Sequence, residues 1–520
     1  MTPSQFAGSK LALSLRLVVA GRLASAEPDR LTVPTILALA IMLNLASSMI
    51  AGIALAQDET GVDLDDLMGG FEDDFEPLEA EQPVDETPSW LAGLPFGEWI
   101  HEQVDLSGSI AAGTVYSYRD HKVPHGDELG ETTSYNNVTR LDIDGFLQLD
   151  VQLPHDWQIR AEAMGWYDFI YRIKGRDQYG GEVLDVYEWQ VDTGEVYLTG
   201  PLHRKLDLTI GSKIVNWGRS DTFRVVDVIN PLDNKEPGLV DIEDLRRPKA
   251  MLKLDATSGP WSAQFLVIPE NRYDRNPPCG SDYFPDKTNP AIGCVSVQRH
   301  GRSDFSGMPA LAGKIDGRFS GWDFSLYGAY TDESSRVIDF SGGRLRGEAN
   351  RIGLLGTGGN WTRGAWLVKA ELAWLTEIQV FRLNNGIPLP SDPEDRIDSM
   401  LGVEYYGRDS LTIVLEVVNR HLLNKPKGQS SDLLTSRSRI ESSIRISRPF
   451  FRERLNLTAL AVGFGERLQD GGIVRFLGDY ELTDAWKAEA GIIFYIGGSE
   501  PGLGAWDKND RLYAEIKYSF

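Results

Sequence analysis

The chain has 520 residues and a formal net charge of −24, with 76 Asp and Glu residues against 52 Lys and Arg residues. Such acidity argues against nucleic acid as a partner. A mean hydropathy of −0.26 excludes a polytopic helical membrane protein, but it allows a transmembrane β-barrel, whose lumen face is polar. The 53 glycines and the aromatic content of 10% suit tight turns and interfacial aromatic girdles.

Residues 1–56 are predicted to be a signal peptide. Residues 33–56 contain no charged side chain, and the stretch Ala54-Leu55-Ala56 gives a small-x-small cleavage site before Gln57. An apolar stretch of this length would also span a bilayer, so an uncleaved anchor is the alternative. The charged region before it is unusually long, which is also consistent with a start codon downstream of Met1.

Residues 57–103 are predicted to form an acidic periplasmic segment. Within it, residues 57–88 carry thirteen Asp and Glu and no Lys or Arg, a composition typical of disorder. The segment is either a solvated spacer or a short linear motif that docks a periplasmic or inner-membrane transport partner. Residues 89–101 are more apolar and are expected to form a short helix or plug at the barrel mouth.

Residues 104–520 are predicted to form an all-β fold, a transmembrane antiparallel β-barrel of about 18 strands. Apolar and polar residues alternate along each stretch, as with Leu147 beside Gln148 and Ile444 beside Arg445. This period of two places the two sets on opposite faces of a strand. The predicted strands are 106–118, 136–153, 157–173, 188–200, 205–217, 248–257, 260–270, 307–319, 322–331, 346–360, 365–380, 396–406, 410–421, 433–448, 455–467, 471–483, 485–496 and 510–520.

The connections between these stretches alternate between short and long, with one short exception near Gly471. Short turns on the periplasmic side and long loops on the outer side are typical of outer-membrane barrels, whereas a soluble β-sandwich needs no such order. Aromatic residues near strand ends, including Trp261, Trp322 and Trp486, fit interfacial girdles, the alternative being a sandwich core. A barrel of this size encloses an aqueous lumen unless loops fill it.

Both cysteines of the chain, Cys279 and Cys294, fall in the longest predicted outer connection, about residues 271–306. In an exported protein this placement favours a disulfide that closes the loop. Two free thiols are the alternative.

Residues 211–249 form the most distinctive stretch. An Asn-Pro-Leu-Asp turn at 230–233 is followed by closely spaced charges of both signs, which favour a folded loop. We expect this loop to turn into the lumen as a constriction, the alternative being a rigid loop with internal ion pairs and no role in solute passage. The candidate constriction residues are Asp241, Glu243, Asp244, Arg246 and Arg247.

A second group of candidate lumen residues is cationic. Arg437, Arg439 and Arg445 fall in one predicted strand and would form a ladder on its inner face. Such a ladder would suit an anion or exopolysaccharide conduit.

The sequence contains no recognisable catalytic motif. Its seven histidines are scattered and none lies in a metal-binding motif, and neither a nucleophile elbow nor a P-loop is present. We therefore predict a protein that is not an enzyme and that uses no cofactor or metal.

Residues 511–520 alternate without a break and end on Phe520. This resembles the C-terminal strand of outer-membrane barrels of Gram-negative bacteria, in which the terminal aromatic is read as an assembly signal. The resemblance implies an outer-membrane location, contact with outer-membrane lipid and recognition by the barrel-assembly machinery.

The patterns V-x-W-G at 215–218, I-N-P-x-D at 229–233 and L-R-R-P at 245–248 resemble an uncharacterised family of proteobacterial outer-membrane barrels, a domain-of-unknown-function family. That family is distantly similar to alginate-export-type and porin-like barrels. The resemblance implies a barrel that works beside an inner-membrane exporter of hydrophobic compounds. We expect a monomeric barrel that moves an organic or hydrophobic solute across the outer membrane. A sealed surface or structural barrel is the alternative from a different class.

Overall fold

The computed structural model describes residues 103–520, apart from 126, 128–129, 285–304, 306, 335–336, 340–345, 349, 385–386, 424–436 and 500–502. The predicted signal peptide and almost all of the acidic segment, residues 1–102, therefore lie outside the described residues, as does Cys294. Across the part that is described, no helix is both long and apolar enough to cross a membrane.

Eighteen strands form one closed antiparallel barrel, which confirms the predicted fold class and strand number. The barrel closes because β1 pairs with β2 on one side and with β22 on the other. The barrel strands are β1 (Val104–Pro124), β2 (Thr132–Leu153), β3 (Trp157–Asp168), β4 (Trp189–His203), β5 (Leu206–Lys213), β6 (Lys249–Ser258), β7 (Trp261–Ile268), β8 (Ala310–Phe319), β9 (Trp322–Asp332), β12 (Arg351–Arg363), β13 (Trp366–Ile378), β16 (Glu394–Tyr406), β17 (Thr412–Leu422), β18 (Ser438–Phe450), β19 (Leu455–Phe464), β20 (Gly471–Glu481), β21 (Trp486–Ile496) and β22 (Arg511–Ser519).

Two small hairpins stand outside the barrel sheet and were not predicted. They pair β10 (Val337–Asp339) with β11 (Arg346–Glu348) and β14 (Phe381–Asn384) with β15 (Ile387–Pro390). Both extend connections at the end of the barrel that carries the long loops.

The outer face of the barrel is apolar, as the alternation in the sequence predicts. Leu147 on β2 is 43% exposed and Ile444 on β18 is 37% exposed, while their neighbours Gln148 and Arg445 face the lumen. Large apolar side chains exposed in this way on most strands form the lipid-contacting surface of a transmembrane barrel.

Aromatic pairs mark the end of the barrel that carries the short turns. The rings of Trp261 and Phe319 lie 5.8 Å apart, and those of Trp486 and Tyr518 lie 5.0 Å apart. They fit the predicted interfacial girdle. In outer-membrane barrels the short turns are periplasmic, so this end is the periplasmic end and the opposite end is the outer one.

The connection between β3 and β4 is helical, although the third strand was predicted to run to residue 173. A side-chain oxygen of Asp168 accepts the backbone N–H groups of Leu141, at 3.0 Å, and Ile170, at 2.9 Å. These bonds end the strand and turn the chain into α1 (Ile170–Lys174), which α2 (Gly181–Tyr187) follows. Tyr171 in α1 is buried in an edge contact with Tyr179.

Candidate functional site

The connection between β5 and β6, residues 214–248, folds into the barrel and is called the inner loop below. Its base is organised by Asn230, which is fully buried. The Asn230 side chain accepts the N–H of Val215 at 2.8 Å and donates to the carbonyl oxygens of Arg247 at 2.8 Å and Lys213 at 3.2 Å. One side chain thus ties the two ends of the loop together, as the Asn-Pro turn in the sequence indicates.

The first half of the inner loop is apolar and packs against the inner face of the wall. Trp217 is 2% exposed, its ring lies 5.5 Å from that of Tyr327 on β9, and its Nε1 donates to Gln264 on β7 at 2.9 Å. Val226 lies against Gly356 on β12, where an added Cβ would come within 2.8 Å of the valine side chain. Inward-facing apolar residues of β6 to β17 complete this cluster, so the loop fills that half of the lumen.

Two buried wall carboxylates hold the backbone of this half of the loop. Glu416 on β17 accepts the hydroxyl of Ser220 at 2.8 Å and the N–H groups of Asp221 at 2.9 Å and Thr222 at 3.1 Å. Glu371 on β13 accepts the N–H of Arg219. Charge-assisted bonds of this kind are stronger than neutral ones, so the contact fixes the loop.

A lysine completes this anchor. Lys369 on β13 places its ammonium 2.6 Å from Glu404, 2.9 Å from Asp221 and 3.3 Å from Glu416. The lysine side chain is 3% exposed, so these ion pairs are shielded from solvent. Its charge offsets the repulsion between the carboxylates in this buried setting.

The second half of the inner loop is fastened to another sector of the wall. Asp241 pairs with Arg475 on β20 and, at 2.9 Å, with Arg445 on β18. Arg475 also donates to the carbonyl oxygen of Leu239 at 2.8 Å, and the hydroxyl of Tyr495 on β21 donates to that of Pro237 at 2.7 Å. A loop that begins at β5 therefore spans the lumen and contacts walls on both sides.

The five candidate constriction residues have three different environments. Asp241 is tied to the wall, while Glu243 and Asp244 are exposed. Arg246 is buried and pairs with Asp227 at 2.9 Å. Arg247 is buried, donates to the carbonyl oxygen of Tyr273 at 3.1 Å and lies 3.9 Å from Asp192. Burial, with Arg275 and Arg272 nearby, lowers the pKa of Arg247 to about 10.

The three arginines of the candidate ladder each have partners. Arg437 precedes β18 and donates to the carbonyl oxygens of Leu422 and Leu423, both at 3.3 Å. Arg439 pairs with Glu441 at 2.5 Å, and Arg445 pairs with Asp241. The arginines therefore bind the protein itself: Arg439 and Arg445 pair with carboxylates, whereas Arg437 binds backbone carbonyl oxygens.

A second infolded segment, residues 269–284, begins where β7 ends and is called the outer segment below. Asp282 in this segment pairs with His121 on β1 and with Arg511 on β22. The hydroxyl of Tyr135 donates to the carbonyl oxygen of Gly280 at 2.9 Å, and Trp506 Nε1 donates to that of Tyr283 at 2.8 Å. The chain thus crosses from β7 to the β22–β1–β2 sector.

Sequence reasoning marked this segment only for its cysteine. Cys279 is buried, and its predicted partner lies outside the described residues, so the disulfide remains a prediction. The adjacent residues Asp282 and Tyr283 could have indicated that this segment folds inward. A tyrosine tends to be buried, and a carboxylate that is buried beside it needs partners.

A cavity of about 180 Å³ lies between β2, β3, the inner loop and the outer segment and is called the chamber below. It is lined by aromatic and charged side chains, among them Trp166, Asp142 and Asp144. No group of three or more His, Cys, Asp or Glu residues that could hold a metal was found within the described ranges.

An antiparallel barrel with an apolar outer face, a charged inner face and long outer connections folded into its lumen is a porin-like barrel of the outer membrane. The chain belongs to the DUF1302 family, described as proteins of unknown function, whose model matches residues 131–520. This match confirms the resemblance to an uncharacterised barrel family. No curated protein matches the sequence.

Among solved structures, the chain is similar to OccAB3 of Acinetobacter baumannii, with 10% identity and a TM-score of 0.44 over 80% of this chain and 99% of that one. It is also similar to OccK9 (OpdG) of Pseudomonas aeruginosa, with 11% identity and a TM-score of 0.43 over 81% and 98%. The outer membrane channel DcaP of A. baumannii gives 10% identity and a TM-score of 0.39 over 80% and 97%. At these scores the likenesses carry no argument about solute or mechanism.

Proposed function

We propose that the protein is a channel that moves an organic solute across the outer membrane and that the inner loop limits passage. The observation that carries the proposal is the double anchorage of this loop, to Glu371 and Glu416 on one side and to Arg445 and Arg475 on the other. A loop that is held at both sides of the lumen narrows the lumen at a fixed position.

The charges that line the route are mostly balanced in pairs. Arg219 on the inner loop lies 2.6 Å from Asp323, and Lys253 on β6 lies 2.6 Å from Asp255. Paired charges near a narrow passage select solutes by field as well as by size. This pattern supports an organic molecule over a simple anion, since each arginine of the candidate ladder already has a partner.

The test is to replace residues 234–244 with two glycines. The deletion is geometrically mild because Asp233 donates its N–H to the carbonyl oxygen of Leu245 at 2.7 Å, so the new ends already lie side by side. We expect single-channel conductance in planar bilayers to rise while heat-modifiable mobility shows an intact barrel.

The control keeps the loop length and changes only an exposed charge, as in Glu243→Gln, which should leave conductance close to the wild-type value. Equal conductance in the deletion variant and the wild type would show that the inner loop does not limit solute passage. Absence of conductance in both would instead support a sealed structural barrel.

The partnership with an inner-membrane exporter is part of this proposal and rests on residues 57–88. Their excess of acidic residues suits a basic periplasmic surface. Crosslinking from positions within 57–88 in whole cells should capture an inner-membrane or periplasmic transport protein, and a variant lacking 57–88 should keep its conductance but lose the crosslink.

A further inference from the structure

We propose that the chamber is a binding site for an organic cation, an amine carried beside an aromatic or apolar group. The inference rests on the proposed channel function and names the solute class that the channel takes. It is carried by the side chains that line the chamber and by the charges that remain available there.

Each of the three cations that line the chamber has a carboxylate partner, and Lys235 lies 3.6 Å from Asp233. Arg140 pairs with Asp142 at 3.1 Å and with Glu236 at 2.7 Å. Arg511 pairs with Asp282. An anionic solute would have to displace one of these buried carboxylates, which is costly in a site of low dielectric.

The carboxylates keep spare capacity beyond these pairs, as does Arg140 at its Nε. Asp142 is 6% exposed, and its Oδ1 has no hydrogen-bond partner. Asp144 faces the same chamber, and among the described residues no hydrogen bond or ion pair reaches it. A buried carboxylate oxygen without a donor costs free energy, and an ammonium group would supply the donor that Asp142 Oδ1 lacks.

An aromatic face stands beside this carboxylate. Trp166 on β3 is directly opposite Asp144 on β2 in the strand register, and both line the chamber. The ring already carries the protein's own ammonium, since Lys235 Nζ lies 3.9 Å from its centroid, so an incoming amine would share or displace that contact. A ring face next to a carboxylate is the arrangement that binds alkylammonium groups.

The same chemistry continues towards the periplasmic end. In the strand register Asp142 is opposite Gly113, Gly113 is opposite Glu515, and Glu515 is opposite Glu489. This row descends, because Asp142 lies midway along β2 whereas Glu489 lies near the start of β21. Gly113 adds no side chain to the row, so a cation leaving the chamber meets Glu515 next.

The test measures binding by isothermal titration to the purified full-length barrel in detergent. The probes are 2-phenylethylamine, phenylacetate and 2-phenylethanol, which share a ring and differ in charge. We expect the amine to bind and the other two to bind much more weakly. Asp144→Asn should weaken amine binding about tenfold, the loss of one hydrogen bond to a charged group.

The matched control is Asp150→Asn, which removes a carboxylate on β2 that pairs with Arg160 outside the chamber and should leave binding unchanged. Trp166→Leu provides a second variant that keeps every carboxylate and should also weaken the amine. Equal binding of all three probes, or amine binding that neither Asp144→Asn nor Trp166→Leu changes, would overturn the proposal.

The outcomes separate this inference from the channel proposal. Amine binding in a barrel without conductance would support the chamber and reject the channel. Conductance without any preference for the amine, in binding or in reversal potential, would support the channel and reject the chamber.

Discussion

Asp241 in the inner loop and Arg475 on β20 form an ion pair although 234 positions separate them in the sequence. The side chain of Arg475 is 3% exposed and that of Asp241 is 30% exposed, so the aspartate is the partner that solvent reaches. Arg475 also binds the loop backbone at Gly238 and Leu239. Arg475 therefore both neutralises Asp241 and holds the backbone of the loop in place.

Asp241→Asn should loosen the second half of the inner loop and raise single-channel conductance or its fluctuation. The substitution removes the charge that both Arg445 and Arg475 face and leaves two guanidinium groups unbalanced in the lumen. Planar-bilayer recordings at constant salt measure the effect. Glu243→Gln, an equal loss of charge at an exposed neighbour, is the control, and the same response in both variants would refute a specific role for the anchor.

Acid should release the same anchor, and only at low pH. Burial raises the pKa of Asp241, but the guanidinium groups of Arg475 and Arg445 outweigh it and hold that pKa below its usual range. The stabilisation from a carboxylate whose folded pKa is lowered is present above its ordinary value of about 3.9 and is lost as the pH falls through the folded value. We therefore expect the contribution of Asp241 to conductance to stay constant from pH 7 to about pH 4, and conductance to rise below pH 4 as this anchor is lost. Asp241→Asn should lack that rise. If the acid response persists in this variant, the response belongs to another titrating group.

The barrel could be predicted because its physical constraints repeat. Each strand must place apolar side chains towards lipid and polar ones towards the lumen, so β2 with Leu147 beside Gln148 reveals its register from sequence alone. The errors fell at strand ends and in the two unpredicted hairpins, β10–β11 and β14–β15. β3 stops at Asp168 because that side chain captures the next amides, a local competition that alternation does not encode.

The site could be predicted only in outline. The inner loop was expected to fold inward with Asp241 as a constriction residue, and that role stays a prediction. The anchors of the first half of the loop, Glu371 and Glu416, lie more than one hundred residues further along the chain. Long-range pairs of this kind leave no periodic signal. Arg246 and Arg247 look like lumen cations in the sequence, yet burial beside Asp227 and Tyr273 makes them part of the loop framework.

The lipid face gives a test of the register. Leu147→Arg should lower the free energy of unfolding by roughly 2–4 kcal/mol, the cost of an arginine near the bilayer midplane. Gln148→Arg, one position along β2, should cost much less because its side chain faces the lumen. Urea unfolding in lipid vesicles measures both, and the opposite order would contradict the assignment of faces.

Closure of the barrel depends on the seam between β1 and β22, where Phe520 meets Gly108. Their backbones exchange two hydrogen bonds, at 2.9 and 3.0 Å. The ring of Phe520 also covers the glycine, so that an added Cβ would come within 2.8 Å of its Cζ. The seam therefore needs an aromatic on one strand and the absence of a side chain on the other.

Phe520→Ala should lower the amount of folded, heat-modifiable barrel in the outer membrane, for two reasons. The ring of Phe520 packs over the seam between β1 and β22, and the same ring is the terminal aromatic that the assembly machinery is predicted to read. Gly108→Val keeps that aromatic and disturbs the packing around Gly108, where an added Cβ also meets the backbone oxygen of Phe146 on β2 at 2.7 Å. A large loss in Phe520→Ala with a small loss in Gly108→Val therefore points to recognition, and equal losses point to packing. Phe476→Ala is the control, since Phe476 is 49% exposed and Phe520 is 53% exposed, but Phe476 lies on β20 away from the seam. Similar yields for Phe520→Ala and Phe476→Ala would show that Phe520 contributes only ordinary lipid contact.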